Sequence, residues 1–295
     1  MADRRSTPLF GGIQSALARA ALAVMLWLPY DARVRFAGRM VSTLVAPVAG
    51  WRRRIASNLT HAWPDLPEAD RARLIREVPD NVGRMLIECW SGRQFVERVE
   101  TTPFEGPGVA AFEAARAEGR PVILMTAHFG NYDALRATLV RRGHDLGGLY
   151  KPMTNAGFNK VYLEVLSQIG SRLYPTSGRG IAGLLRYLER GGLIGIVVDV
   201  ASRKAPLLTF FDRPAHTPLS AAEWAVKYDA LLIPVFCIRQ PDGLSFRMDL
   251  RDPIAHRAPA EMMQEMNDIT EEMVRRHPEQ WFWVHNRWKG TAARA

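Results

Sequence analysis

Pro121–Val140 reads PVILMTAHFGNYDALRATLV. Its opening run, Pro121 to Met125, is apolar throughout, the pattern of a strand buried on both faces of a parallel sheet. The periodic apolar positions after Asn131 predict a helix. His128 then stands where the carboxyl end of a strand turns toward a helix, the place where open α/β sheets bind ligands. Asp133, five residues on, falls in the first helical turn, from which a carboxylate can reach back to an imidazole. A histidine oriented by a carboxylate is the usual construction of a general base near neutral pH. The competing reading is a loop histidine followed by an aspartate that only favours the helix macrodipole.

Working outward, short apolar runs alternate with helical patterns. Strands are predicted at Leu146–Tyr150, Ser171–Tyr174, Leu193–Val198, Leu207–Phe211 and Leu231–Ile238, with an alternating edge strand at Ser245–Leu250. Helices are predicted at Pro107–Glu118, Phe158–Ile169, Ile181–Arg190, Ser220–Tyr228 and Pro259–Arg276. Earlier in the chain, a charged helix from Pro67 through Ile75 is expected to stop at Pro79, with a second apolar helix over Asn81–Trp90. This order implies an α/β fold, a mostly parallel mixed sheet with helices on both faces. There are no internal repeats or low-complexity tracts. The simplest division is an N-terminal membrane-associated helical segment, residues 1–50, followed by an α/β domain, residues 51–295.

With 295 residues, 47% of them hydrophobic, the chain can bury a full core. The two cysteines, Cys89 and Cys237, lie far apart in apolar surroundings, which suggests reduced buried thiols and no zinc site. The net charge of +9 is uneven: residues 1–60 hold nine arginines against Asp3 and Asp31, a net of +7. Such clustering favours an anionic partner, membrane lipid or nucleic acid. Leu9–Tyr30 is long enough to cross a bilayer but carries Arg19 near its middle, which costs roughly 2.5–3.5 kcal/mol on insertion. It therefore either spans the membrane once or lies in the interface. No small-residue cleavage site follows its apolar core, so it does not read as a removed signal peptide. The basic cluster beyond it keeps the bulk of the chain on the cytoplasmic face.

The chain has no G-x-S-x-G elbow, no dinucleotide-binding glycine turn and no Walker loop. A base at His128 is then expected to activate a hydroxyl on the substrate rather than one on the enzyme. Lys151, Arg179, Arg203 and Lys204 all follow predicted strands and are candidates to bind phosphates or a developing oxyanion at the same sheet edge. Asp199 closes a buried strand, where it either braces Arg203 or lines the site. The ending PEQWFWVHNRWK gathers Trp281, Phe282, Trp283 and Trp288 around His285 and Arg287. It reads as a core-closing aromatic segment, the alternative being that its cations face an anionic ligand. Its aromatic and arginine content would also stack bases, but no nucleic-acid-binding motif accompanies it.

Across nearly its whole length the chain resembles the bacterial lipid A late acyltransferases, the lauroyl/myristoyl family within the lysophospholipid acyltransferase-like group. The resemblance rests on WRRRIASNLTHAWPDL, TAHFGNYD, LYKP, GGLIGIVVDV, FFDRPAHTP, LLIPVFCIR and PEQWFWVHNRWK. It implies acyl transfer from a fatty-acyl thioester, on acyl carrier protein or coenzyme A, to a hydroxyl of a lipid A precursor. It further implies no cofactor or metal and a place on the cytoplasmic face of the inner membrane. His128 would be the general base and Asp133 its partner. Three positions depart from the family pattern. Asp133 stands where glutamate is frequent, Lys151 where arginine often precedes the turn proline, and Val200 follows Asp199 where glutamine is usual. These departures bear on the acceptor, and a lysophospholipid, an ornithine-type lipid or a glycolipid is the alternative. The non-enzymatic alternative is a basic membrane-surface or nucleic-acid-binding protein.

Overall fold

A computed structural model describes residues 24–153 and 156–291. Helix α1 (Tyr30–Met40) continues through a π-helical segment, Val41–Val45, to a last turn at Ala46–Val48. After Gly50, in the left-handed region at φ +69°, come α2 (Trp51–Ala62), α3 (Glu68–Trp90) and α4 (Arg93–Val99). The α/β part then runs β1 (Phe104–Glu105), α5 (Val109–Ala117), β2 (Val122–Thr126), α6 (Tyr132–Arg141) and β3 (Leu146–Tyr150). It continues with α7 (Ala156–Ile169), β4 (Leu173–Pro175), α8 (Gly178–Glu189), β5 (Leu193–Val197), β6 (Leu207–Phe210) and β7 (Arg213–His216). Helix α9 (Ser220–Lys227), β8 (Leu231–Arg239), β9 (Phe246–Leu250), α10 (Pro259–Arg276) and the 3₁₀ turn Pro278–Gln280 complete the order.

Seven strands form one sheet in the order β1-β9-β8-β2-β5-β3-β4. Every neighbouring pair is parallel except β8 and β9. Successive side chains of a strand point to opposite faces, and β2 shows the result. Ile123 and Met125 pack into one core with Ile194 and Leu232, whereas Val122 and Leu124 pack into the other with Leu193 and Ile233. All five residues of β2 are buried. The chain leaves β2 toward β3 and β4 on one side and later places β8 on the other, so β2 lies at the topological switch point, where ligand crevices form.

Three sequence expectations are corrected. Pro79 does not divide its helix: α3 runs unbroken through it, with Val78, Pro79 and Gly83 buried. Proline in a helix interior removes one hydrogen bond, at roughly 3 kcal/mol, and close packing against α1 offsets the loss. The approach is tight at Gly83, where a Cβ would stand 2.5 Å from the Ala37 carbonyl oxygen. Leu207–Phe210 does not join the main sheet but forms an antiparallel hairpin with Arg213–His216. The alternating strand Phe246–Leu250 is not an edge, because β1 pairs beyond it at Met248 and Asp249. The apolar segment Leu9–Tyr30 lies mostly outside the described residues. Among those described, no helix is long and apolar enough to cross a membrane.

Candidate active site

β2 and β5 are paired in register, with Thr126 opposite Val197. Two residues past these partners stand His128 and Asp199, so the parallel pairing itself brings the two side chains together. Asp199 Oδ1 lies 2.7 Å from His128 Nδ1. Its other oxygen accepts from the His128 backbone N–H at 3.0 Å and from Trp281 Nε1 at 2.9 Å. Burial alone would raise the Asp199 carboxyl. The charge and hydrogen bonds of His128, aided by His285, outweigh it and hold the group well below the usual carboxylate range. A carboxylate on Nδ1 leaves Nε2 as the lone-pair nitrogen of the neutral ring, and that nitrogen makes no hydrogen bond among the described residues.

Asp133 takes a different place. It sits in the first turn of α6, where Cys89 Sγ donates to it at 3.3 Å and Arg136 Nε lies 3.8 Å away. No hydrogen bond joins it to the imidazole. Burial pushes the Cys89 thiol and the Tyr132 phenol well up, and the Asp133 charge adds to both.

The turn that carries His128 is fixed from behind. Gly130, at φ +55°, passes so close to the Cys237 carbonyl that a Cβ would fall 1.9 Å from its oxygen, so no other residue fits. Asn131 caps α6 by accepting from the Asp133 N–H at 3.1 Å, and its Nδ2 donates to Glu88 at 2.8 Å. Glu88, fully buried, accepts in turn from Arg239 Nη1 at 2.5 Å and Nη2 at 2.7 Å. The aromatic ending forms the other wall. The Gly130 N–H donates to the Gln280 carbonyl and the Phe282 N–H to that of His128, each at 2.9 Å. Trp281, Trp283 and Trp288 are buried in the core. Arg287 is buried too and donates to the His216 carbonyl at 2.7 Å and to Thr217 Oγ1 at 2.8 Å, so it supports the fold rather than an anionic ligand.

His285 of that ending enters the site as well, beside Trp281. Its ring centroid lies 4.3 Å from that of His128, and its Nε2 is buried without a hydrogen-bond partner among the described residues. Burial and the neighbouring His128 push it down to about 4, against the pull of Asp199. Ligand atoms of His128, Asp199 and His285 lie within 4.8 Å of one another. Such a set can hold a divalent cation, but one would have to displace N–H donors that already fill both Asp199 oxygens.

His128 opens onto an apolar pocket of about 350 Å³. Trp51 and the α3 residues Val78, Val82, Met85 and Leu86 form one wall; Tyr132, Trp281 and Phe282 form the other. Lys151, Arg179, Arg203 and Lys204 are exposed in the segments that follow β3, β4 and β5, hence on the same carboxyl edge as His128. None of the four makes an ion pair among the described residues. Sequence reasoning placed His128 past the carboxyl end of β2 but not the contact between Asp199 and His128. The available signal was that two neighbouring buried runs each end, two residues beyond, in a chemistry-bearing side chain. His285 and the α3 wall had no such signal, because they come from segments far from the turn.

Residues 10–290 match the family model described as bacterial lipid A biosynthesis acyltransferase. A lipid A biosynthesis acyltransferase of Haemophilus influenzae is 22% identical, over 89% of this chain and 83% of that protein. The lipid A biosynthesis lauroyltransferase of Escherichia coli is 22% identical over 79% of this chain and 77% of its own. A phosphatidylinositol mannoside acyltransferase of Mycobacterium tuberculosis is 22% identical over 61% of this chain and 58% of its own. The chain belongs to the bacterial lipid A biosynthesis acyltransferase family and is an acyltransferase.

Proposed function

We propose that this acyltransferase moves a fatty-acyl chain from a thioester on acyl carrier protein directly to a hydroxyl of a lipid A precursor at the cytoplasmic face of the membrane, with coenzyme A as the alternative carrier. The observation that carries the reading is the single imidazole shared by two environments: Nδ1 on the buried Asp199 carboxylate, and the ring at the wall of an apolar pocket. His128 Nε2 takes the acceptor hydroxyl proton as the oxygen attacks the thioester carbonyl. The carbon–sulfur bond then breaks, and the leaving thiolate takes the proton from the imidazolium. Asp199 holds the tautomer and stabilises the imidazolium. Asp133, the acid of the sequence motif, acts from the start of α6 as a positioning residue for the turn. The pocket along α3 takes the acyl chain.

The N–H groups of His128, Phe129 and Gly130 already donate to Asp199, Ala127 and Gln280. The oxyanion charge therefore falls to cations of the sheet edge, among Lys151, Arg179, Arg203 and Lys204, which also hold the lipid's phosphates. The reaction balances without a cofactor. The mycobacterial relative supports a second reading, the same chemistry on a different glycolipid acceptor. His128→Ala should abolish transfer from acyl carrier protein to a lipid A precursor in a folded protein; retained turnover refutes the mechanism. Loss of one secondary acyl chain from lipid A in a deletion strain, read by mass spectrometry, selects the first acceptor over the second.

A further inference from the structure

Beside the acyl pocket lies a second cavity, of about 470 Å³, lined mainly by polar side chains. One helix serves both. The α3 residues Val78, Val82, Met85 and Leu86 line the acyl pocket, whereas Glu77, Asp80, Asn81 and Arg84 line the polar cleft. Each set recurs at helical spacing, so two adjacent stripes of one helix line two cavities of opposite character. Opposite α3, the cleft is walled by Arg239, Gln240 and Arg247 and by His277, Glu279 and Gln280. Because β8 runs parallel to β2, its last residue, Arg239, stands on the same carboxyl edge of the sheet as His128. Asn81 and Gln280 line both cavities and form the partition between them.

The charges of the cleft are engaged, with one exception. Arg84 pairs with Asp80, Arg239 with Glu88, Arg247 with Glu105 at 3.3 Å and Glu77 with Arg73 at 2.6 Å. Glu279 makes no ion pair among the described residues. Its carboxylate accepts only from Gln280 Nε2, at 3.3 Å, and that nitrogen already donates to the Arg239 carbonyl at 2.9 Å. The ring nitrogens of His277 make no hydrogen bond among the described residues either. Burial holds that ring below its ordinary value, hence neutral near pH 7. The backbone that carries the pair is fixed. Asn81 Nδ2 donates to the Glu279 carbonyl at 2.9 Å, and Gln280 Oε1 accepts from the Arg239 N–H at 2.8 Å. Two free polar groups are therefore presented to the cleft from a rigid turn.

With its cations already paired and a free carboxylate inside, the cleft suits a neutral ligand rich in hydroxyl donors and disfavours a phosphate. The two oxygens of a carboxylate match two hydroxyls on adjacent carbons. A sugar ring carries such pairs; the amide-bearing arm of an acyl carrier does not. We propose that this cleft is the subsite for the saccharide of the acceptor lipid, held through its hydroxyls by Glu279 and His277. The hydroxyl to be acylated then reaches His128 over the Asn81–Gln280 partition, while the acyl chain of the donor lies along the apolar stripe of the same helix. This rests on the reading that the acceptor is a glycolipid, which both acceptors proposed above are.

The test uses the full-length protein in detergent micelles with two variants, Glu279→Gln and His277→Phe, the second keeping a ring against Phe129. The KM for a lipid A precursor should rise about tenfold or more in Glu279→Gln, the loss of a charge-assisted hydrogen bond. It should rise about threefold or more in His277→Phe, which loses a neutral one. In both, kcat and the KM for the acyl-carrier thioester should stay within about twofold of the parent. Calorimetric titration with the saccharide of the precursor, freed of its acyl chains, should show binding to the parent and about tenfold weaker binding to Glu279→Gln. An unchanged acceptor KM in Glu279→Gln overturns the proposal. So does a rise confined to the thioester KM, which would give the cleft to the carrier arm. A fall in kcat with both KM values unchanged would make Glu279 a support of the catalytic turn and also overturn it. Failure of the acceptor reading looks different: the parent would transfer nothing to the precursor, and the titration alone would decide. Saccharide binding weakened by Glu279→Gln then upholds the cleft as a sugar site, and no binding to the parent overturns it.

Discussion

Replacing Asp199 by asparagine keeps the shape of the site and removes its charge. The carboxylate satisfies three donors: His128 Nδ1–H at 2.7 Å, the His128 N–H at 3.0 Å and Trp281 Nε1–H at 2.9 Å. An amide offers one oxygen. If that oxygen stays on His128 Nδ1, the amide nitrogen faces two N–H donors, and two buried donors lose their acceptor at about 1–3 kcal/mol each. If the amide turns over, its nitrogen donates to Nδ1, the ring proton moves to Nε2, and the base has no lone pair for the hydroxyl. In either orientation the imidazolium formed in the reaction loses its counter-charge. The expected outcome is a fall in kcat of about 10²–10⁴-fold, the span of general-base catalysis, with little change in KM. Asp133→Asn leaves all three donors satisfied and should lose less than about tenfold on the same scale. Steady-state rates with saturating acyl-carrier thioester measure both, and urea unfolding separates stability from rate. An Asp133→Asn enzyme as impaired as Asp199→Asn, or an Asp199→Asn enzyme near the parent rate, would refute the assignment of the orienting acid to Asp199.

Three further outcomes follow from the same geometry. His285 has an ordinary value of 6.5 and is pushed down to about 4 in the folded protein. The unfolded chain therefore binds a proton that the folded one refuses between those values, and stability should fall by about 2–3 kcal/mol as pH drops through that window; His285→Gln should flatten this slope in urea titrations. Glu88→Gln leaves Arg239 buried with no charge partner and should destabilise by about 3–5 kcal/mol. The double change Glu88→Gln/Arg239→Gln should recover part of that in thermal unfolding. Val82→Phe narrows the pocket wall and should move preference toward shorter acyl donors, by about tenfold in kcat/KM or more for each methylene excluded, read across a series of acyl-carrier thioesters.

The sequence by itself determined what is local. Uniform apolar runs such as Pro121–Met125 and Leu193–Val198 read as strands covered on both faces, because they are short, bounded by turn residues and hydrophobic on both sides. The placement of His128 at a strand's carboxyl end follows from the change of period within ten residues. The basic bias of residues 1–60 is composition alone. Tertiary structure decided everything that depends on register or on distant partners. Asp133 is five residues from His128, but from the helix it enters it meets Cys89 and Arg136; Asp199, seventy-one residues away, reaches the imidazole because Thr126 pairs with Val197. Pro79 by itself predicts a helix break, because proline removes a local hydrogen bond, and packing against α1 outweighs that local loss. The pocket wall on α3 and the approach of His285 were equally illegible. Both are contacts between segments that nothing in their own residues binds to the turn, and only the closing of the C-terminal segment over the sheet edge brings them there.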